Sequence, residues 1–131
     1  FVEGGKLTNE QKKLHDLAYE NIKYNEQLIK PGMTFREFAE KAWKLPDNCY
    51  DNHYPCQVHG VGMCDEWPFI AYPNKDYNNA DFSGMFEENM TITIESYIGE
   101  VGGREGVKLE DEYLVTTKGL KLLTKHPLNQ V

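Results

Sequence analysis

Three things are scarce in this sequence. No apolar run approaches the length of a membrane span, and no stretch reads as a signal peptide. Positive charge is short: 14 Lys and Arg face 21 Asp and Glu, a net charge of −7. That balance argues against nucleic acid or an anionic membrane as the main partner. It fits a cytoplasmic protein, or a site that holds cations. Cysteine is rare and odd in number. Cys49, Cys56 and Cys64 match no CxxC framework and read as reduced thiols. What remains is 131 residues, one domain at most and enough for a real core. The first residues, Phe1-Val2-Glu3-Gly4-Gly5, resemble the end of a strand entering a glycine turn. The expectation is a chain that starts mid-domain, as a fragment.

The most informative stretch is Met90 to Thr116, two strands joined by a glycine-rich turn. Met90, Ile92, Ile94 and Ile98 alternate with Thr91, Thr93, Glu95 and Tyr97, a period of two that puts Glu95 opposite the Ile row. Gly99, Gly102, Gly103 and Gly106 mark the reversal, where positive φ is expected. The second strand, Val107 to Thr116, carries Glu110 between Leu109 and Asp111. A carboxylate in mid-strand costs desolvation energy unless something compensates it. A metal ion, a salt bridge and plain exposure to water each do so.

Upstream, Thr8 and Gln11 form a capping box for a helix with Leu14, Leu17, Ala18, Ile22, Leu28 and Ile29 at helical spacing, ended by Pro31-Gly32. Thr34 and Glu37 stand in capping-box places for a second helix bearing Phe35, Phe38, Ala39, Ala42 and Trp43, ended at Leu45-Pro46. Residues 47–89 read as irregular, polar and rich in proline and aromatics. Long loops of this kind tend to carry function. Within them His59 precedes Gly60-Val61-Gly62, at a strand end among small residues. Such a histidine is either structural or a ligand. Trp67, Phe69, Tyr72 and Tyr97 suit a pocket for an apolar or quaternary-ammonium-like group, or the core. Arg104 suits a substrate carboxylate, or simple solvation. The segment with Lys118, Lys121 and Lys125 reads as a short solvated end.

HGVG at 59–62, ENMTITIES at 88–96 and GVKLEDEYLVTTKG at 106–119, in that order and spacing, resemble the C-terminal half of the pita-bread metallopeptidases. That family includes methionine aminopeptidase, aminopeptidase P, prolidase and creatinase. KPGMTFREF at 30–38 is similar to the junction between helices in the creatinase and prolidase branch. The resemblance covers almost the whole chain. It implies an α+β fold, helices packed on one face of a curved, mainly antiparallel sheet, with the site on the other face. It implies a dinuclear centre held by two Asp, one His and two Glu. His59, Glu95 and Glu110 take the last three places, with Glu110 bridging and with His59 and Glu95 on one metal. Manganese, iron, cobalt or zinc suits such donors.

Two departures shape the expectations. The family's two Asp ligands would fall before residue 1, so the fragment is expected to bind metal weakly and to be inactive. The peptidases also place a second His shortly after HGxG, and here Asp65 stands there, in Cys64-Asp65-Glu66-Trp67-Pro68. HGVG followed by DEWP resembles the branch that contains a dimethylsulfoniopropionate lyase. In that reading Asp65 is the base that starts β-elimination, and the bland alternative is a carboxylate capping a turn. The expected activity is therefore an Xaa-Pro peptidase-type hydrolase acting on a short peptide or small molecule. A metal-dependent lyase, and a truncated module without chemistry, stand as alternatives. The catalytic candidates are Asp65 and Glu95, and the substrate-contacting candidates are Trp67, Tyr97 and Arg104. An exposed apolar sheet edge is expected to pair with a second copy.

Overall fold

Thr8 begins the first helix, α1 (Asn9–Leu28), in a computed structural model that describes residues 5–62, 67–73 and 82–128. The Thr8 hydroxyl accepts the Gln11 N–H at 3.1 Å, and the Gln11 side-chain oxygen accepts the Thr8 N–H at 3.0 Å. Two donors that a helix start leaves unpaired are thereby satisfied. Leu14, Ala18 and Ile22 form the buried stripe. Asn21 and Asn25 are buried on the same helix. Asn25 donates to Asn21 Oδ1 at 3.1 Å and accepts the Trp43 N–H at 2.9 Å. The pair fastens α1 to the segment after the second helix, α2 (Phe35–Lys41). At the start of α2 the box is half made. Thr34 caps the Glu37 N–H, but the Glu37 carboxylate turns to Lys41 at 2.6 Å.

The stretch read as irregular holds three short elements: α3 (Asp47–Tyr50), β1 (Cys56–Gly60) and β2 (Phe69–Ala71). Strands of five and three residues are too short to show a period. They join β3 (Thr91–Ile98) and β4 (Val107–Thr116), the hairpin read from the sequence. The segment expected to be a solvated end is largely exposed, yet it forms a strand, β5 (Gly119–Leu122), paired with β4 and starting at Gly119, whose φ is +114°. The sheet runs β2-β1-β3-β4-β5, antiparallel throughout.

Strand parity sorts the two faces. Val58, Ile92, Ile94, Ile98, Tyr113 and Val115 lie on one face, under α1 and α2, and are fully buried with Phe35, Phe38 and Phe86. At roughly 1.5–3 kcal/mol for each large apolar side chain removed from water, this layer holds the helices to the sheet. His59, Thr93, Glu95, Glu110 and Glu112 lie on the other face. Among the described residues no helix is long and apolar enough to cross a membrane.

The hairpin turn corrects one expectation. Of its four glycines only Gly102 has positive φ, at +74°. Gly99 and Gly106 serve a different end. A Cβ on either would sit 2.8 or 2.6 Å from the Tyr97 hydroxyl. Their missing side chains leave room for that ring to fold over the turn.

Candidate metal centre

The strand register builds the site. β1 places His59 beside Thr93, and β3 places Glu95 opposite Glu110 on β4. Because β1, β3 and β4 are neighbours, all three side chains converge on the face away from α1. His59 Nε2 lies 3.2 Å from Glu95 Oε1 and 3.6 Å from Glu110 Oε1. The three ligand atoms fall within 4.8 Å of one another. Glu95 is 4% exposed, whereas the Glu110 side chain is 39% exposed.

The imidazole is oriented from behind. Its Nδ1 lies 2.9 Å from the carbonyl oxygen of Gly60, so Nδ1–H donates there and Nε2 is turned toward the two carboxylates. A ring nitrogen and two carboxylates gathered in this way call for positive charge among them. Lys108 supplies part of that charge. Its Nζ is 3.1 Å from Glu95 Oε1 and 3.8 Å from Glu110 Oε2, and lies 4.2 Å over the Tyr54 ring. Burial works against the Lys108 charge. The hydrogen bond and charge of Glu95, with Tyr54 and Glu110, outweigh it and hold the ammonium above the usual lysine range.

The salt bridge weighed from the sequence is therefore present, yet it satisfies only one oxygen. Glu95 Oε2 is buried with no partner among the described residues. An unpaired buried carboxylate oxygen beside an imidazole and a second carboxylate fits a hard or borderline divalent cation.

The other candidates separate. Arg104 is exposed in the hairpin turn. That turn begins beyond Ile98, three residue pairs from Glu95. Tyr97 shares the face of Glu95 but folds onto Gly99 and Gly106. Trp67 is 59% exposed, with its ring edge-on to Phe35 at 5.5 Å, and Phe69 is exposed too. Tyr72 is buried and belongs to the core. Asp65 lies outside the described residues. Gly60 is constrained by packing: a Cβ there would lie 1.9 Å from the Trp67 carbonyl oxygen. Lys108, Tyr54, Thr93 and Glu112 were not singled out from the sequence. Parity alone signals three of them, since Lys108 and Glu112 flank Glu110 by two residues and Thr93 precedes Glu95 by two.

The sequence profile of metallopeptidase family M24 matches residues 1–117. The chain belongs to this family. M24 enzymes are dinuclear-metal dependent, and the convergent donor set accords with that. Over 112 residues the chain is 38% identical to the dimethylsulfoniopropionate lyase DddP of Roseovarius nubinhibens, covering 86% of this chain and 25% of that protein. Over 126 residues it is 32% identical to the Xaa-Pro dipeptidase of Pyrococcus furiosus, covering 92% of this chain and 33% of that protein. The solved prolidase of Pyrococcus horikoshii OT3 superposes with a TM-score of 0.72 at 28% identity, over 97% of this chain and 35% of that one. The chain thus spans a quarter to a third of the M24 relatives it matches. The likeness to prolidases bears out the α+β, pita-bread reading.

Proposed function

We propose that this M24 chain carries part of the active site of a dinuclear metal enzyme that acts on a small zwitterionic acid by β-elimination. The convergence of His59, Glu95 and Glu110 carries the metal-enzyme reading. Those three residues would hold the metal, His59 through its imidazole and Glu95 and Glu110 through their carboxylates. Two divalent cations, manganese among the suitable ones, would supply the positive charge that polarises a substrate oxygen. The remaining chemistry belongs to the chain. The Gly60 carbonyl orients the His59 ring, and Lys108 fixes Glu95 and Glu110.

Two observations support elimination over hydrolysis. Asp65 stands where the peptidases of the resembling family keep an imidazole, and identity is higher to the lyase than to the dipeptidase. In this reading the Asp65 carboxylate takes a proton from the substrate carbon. The released electron pair forms a carbon–carbon double bond, and the leaving group departs with the electrons of its own bond. Hydrolysis of Xaa-Pro dipeptides is the second reading. It is favoured by the similarity to the dipeptidase and prolidase, and it puts Glu95 and Glu110 in the same metal-holding roles. The reduced thiols and the acidic balance suit a cytoplasmic setting for either.

The test is to assay the full-length, metal-loaded protein with dimethylsulfoniopropionate and with Ala-Pro. Cleavage of the former, lost in Asp65→Asn, is expected. Hydrolysis of Ala-Pro that is abolished by Glu110→Ala replaces elimination with the second reading. Turnover of neither overturns both.

A further inference from the structure

One rung away from the metal-binding rung the sheet carries a second polar constellation. The register sets His59, Thr93 and Glu112 side by side on β1, β3 and β4. On β4, Glu112 follows Glu110 by two residues, about 7 Å along the strand on the same face. An open depression of about 450 Å³ lies over this rung, lined by His59, Val61, Thr93, Glu110, Glu112 and Thr124. It is continuous with the metal centre, since it shares His59 and Glu110.

Two features point to a ligand there. Thr93 is 5% exposed, and its hydroxyl has no hydrogen-bond partner among the described residues. A hydroxyl buried in that way is costly to leave unmade and asks for a partner from outside the chain. The second feature is the uneven charge along β4. Lys108 Nζ lies 3.1 Å from Glu95 and 3.8 Å from Glu110 and offsets one of their two charges, whereas the Glu112 carboxylate meets no cation among the described residues. Glu112 is nonetheless held in place, because its backbone N–H donates to Thr124 Oγ1 at 2.8 Å.

We propose that Glu112 and Thr93 form a substrate subsite that receives a positively charged group beside the metal centre. This rests on the metal-enzyme reading above and names what its substrate must carry. Two kinds of cation meet that requirement. A peptide α-ammonium uses both residues, since its N–H groups donate to the Glu112 carboxylate and the Thr93 hydroxyl. A sulfonium or quaternary ammonium has no N–H to donate and answers only to the charge of Glu112.

The test is isothermal titration of the metal-loaded full-length protein with two matched pairs: Ala-Pro against N-acetyl-Ala-Pro, and dimethylsulfoniopropionate against 4-methylpentanoate. Each pair differs in the positive charge. Glu112→Gln is expected to weaken the cationic member about tenfold and leave the uncharged-headed member unchanged, with KM raised and kcat little affected. Glu112→Asp is expected to retain most of the affinity. Thr93→Val weakens Ala-Pro alone if the cation is an ammonium, and leaves dimethylsulfoniopropionate untouched if it is an onium group. Equal loss for both members of a pair, or loss for neither, overturns the subsite. Wild-type protein that binds Mn²⁺ but neither zwitterion also overturns it, with the metal reading intact. Failure to bind Mn²⁺ defeats the metal reading and the subsite together.

Discussion

Replacing Gly60 by alanine probes how the fold aims the metal centre. Gly60 ends β1 and has no positive φ, so backbone conformation does not require glycine. The requirement is space. An added Cβ would lie 1.9 Å from the Trp67 carbonyl oxygen and 2.6 Å from its carbon, and both atoms are backbone. No rotamer change relieves such a contact, so β1 and the entry to β2 must separate. That separation removes the hydrogen bond from the Gly60 N–H to the Pro68 oxygen, now 2.8 Å. Overpacking costs about 1–3 kcal/mol and the lost bond about 0.5–1.5 kcal/mol. The sum is about 1.5–4.5 kcal/mol, which at about 4 °C per kcal/mol for a chain of this size lowers Tm by roughly 6–18 °C. The Gly60 carbonyl also orients His59, so Mn²⁺ affinity is expected to fall by about tenfold or more. Thermal melting and Mn²⁺ titration on the purified variant check both effects. An alanine variant that melts within about 2 °C of wild type and binds Mn²⁺ equally refutes the packing argument.

Three further outcomes are expected. Glu95→Gln removes one charge from the donor set and should weaken Mn²⁺ binding by more than the roughly 10–100-fold typical of residues behind the ligands; calorimetric titration with an unchanged Kd contradicts the ligand role. Tyr113→Phe deletes a buried hydroxyl that donates to Glu26 Oε2 at 3.1 Å, and urea unfolding should show a loss of about 1.5–3 kcal/mol. Burial, opposed by the Lys23 charge and a bond from Thr124, holds the Asp111 carboxyl above its usual range. The folded state then keeps that proton more tightly than the unfolded chain. This group therefore makes stability fall as pH rises from the ordinary aspartate range through the folded value. Asp111→Asn should remove that part of the slope in unfolding curves taken between about pH 4 and 8, and an unaltered slope counts against it.

Sequence periodicity alone determined the long elements. α1, α2 and the β3–β4 hairpin follow from caps, helical spacing and alternation, because each repeats its signal over several turns or residue pairs. Alternation also put Glu95 opposite the Ile row, and motif order grouped it with His59 and Glu110 before any distance was known. Of the short strands, only the end of β1 at His59 was legible, and β2 and β5 were not, since three to five residues carry too little pattern and their existence depends on neighbours that supply hydrogen bonds. The use of Gly99, Gly106 and Gly60 was not legible either. Their role is to admit Tyr97 or the backbone of Trp67, contacts made by other parts of the chain. The tertiary structure likewise decided which charge Glu95 meets. Lys108 is thirteen residues away in sequence, and only the register of β3 on β4 brings it to 3.1 Å. Residue types and their order are properties of the chain itself, so they were readable at once. Which oxygen is paired, which is left bare and which hydroxyl faces an open depression depend on strand pairing, and pairing is settled only when the whole sheet is assembled.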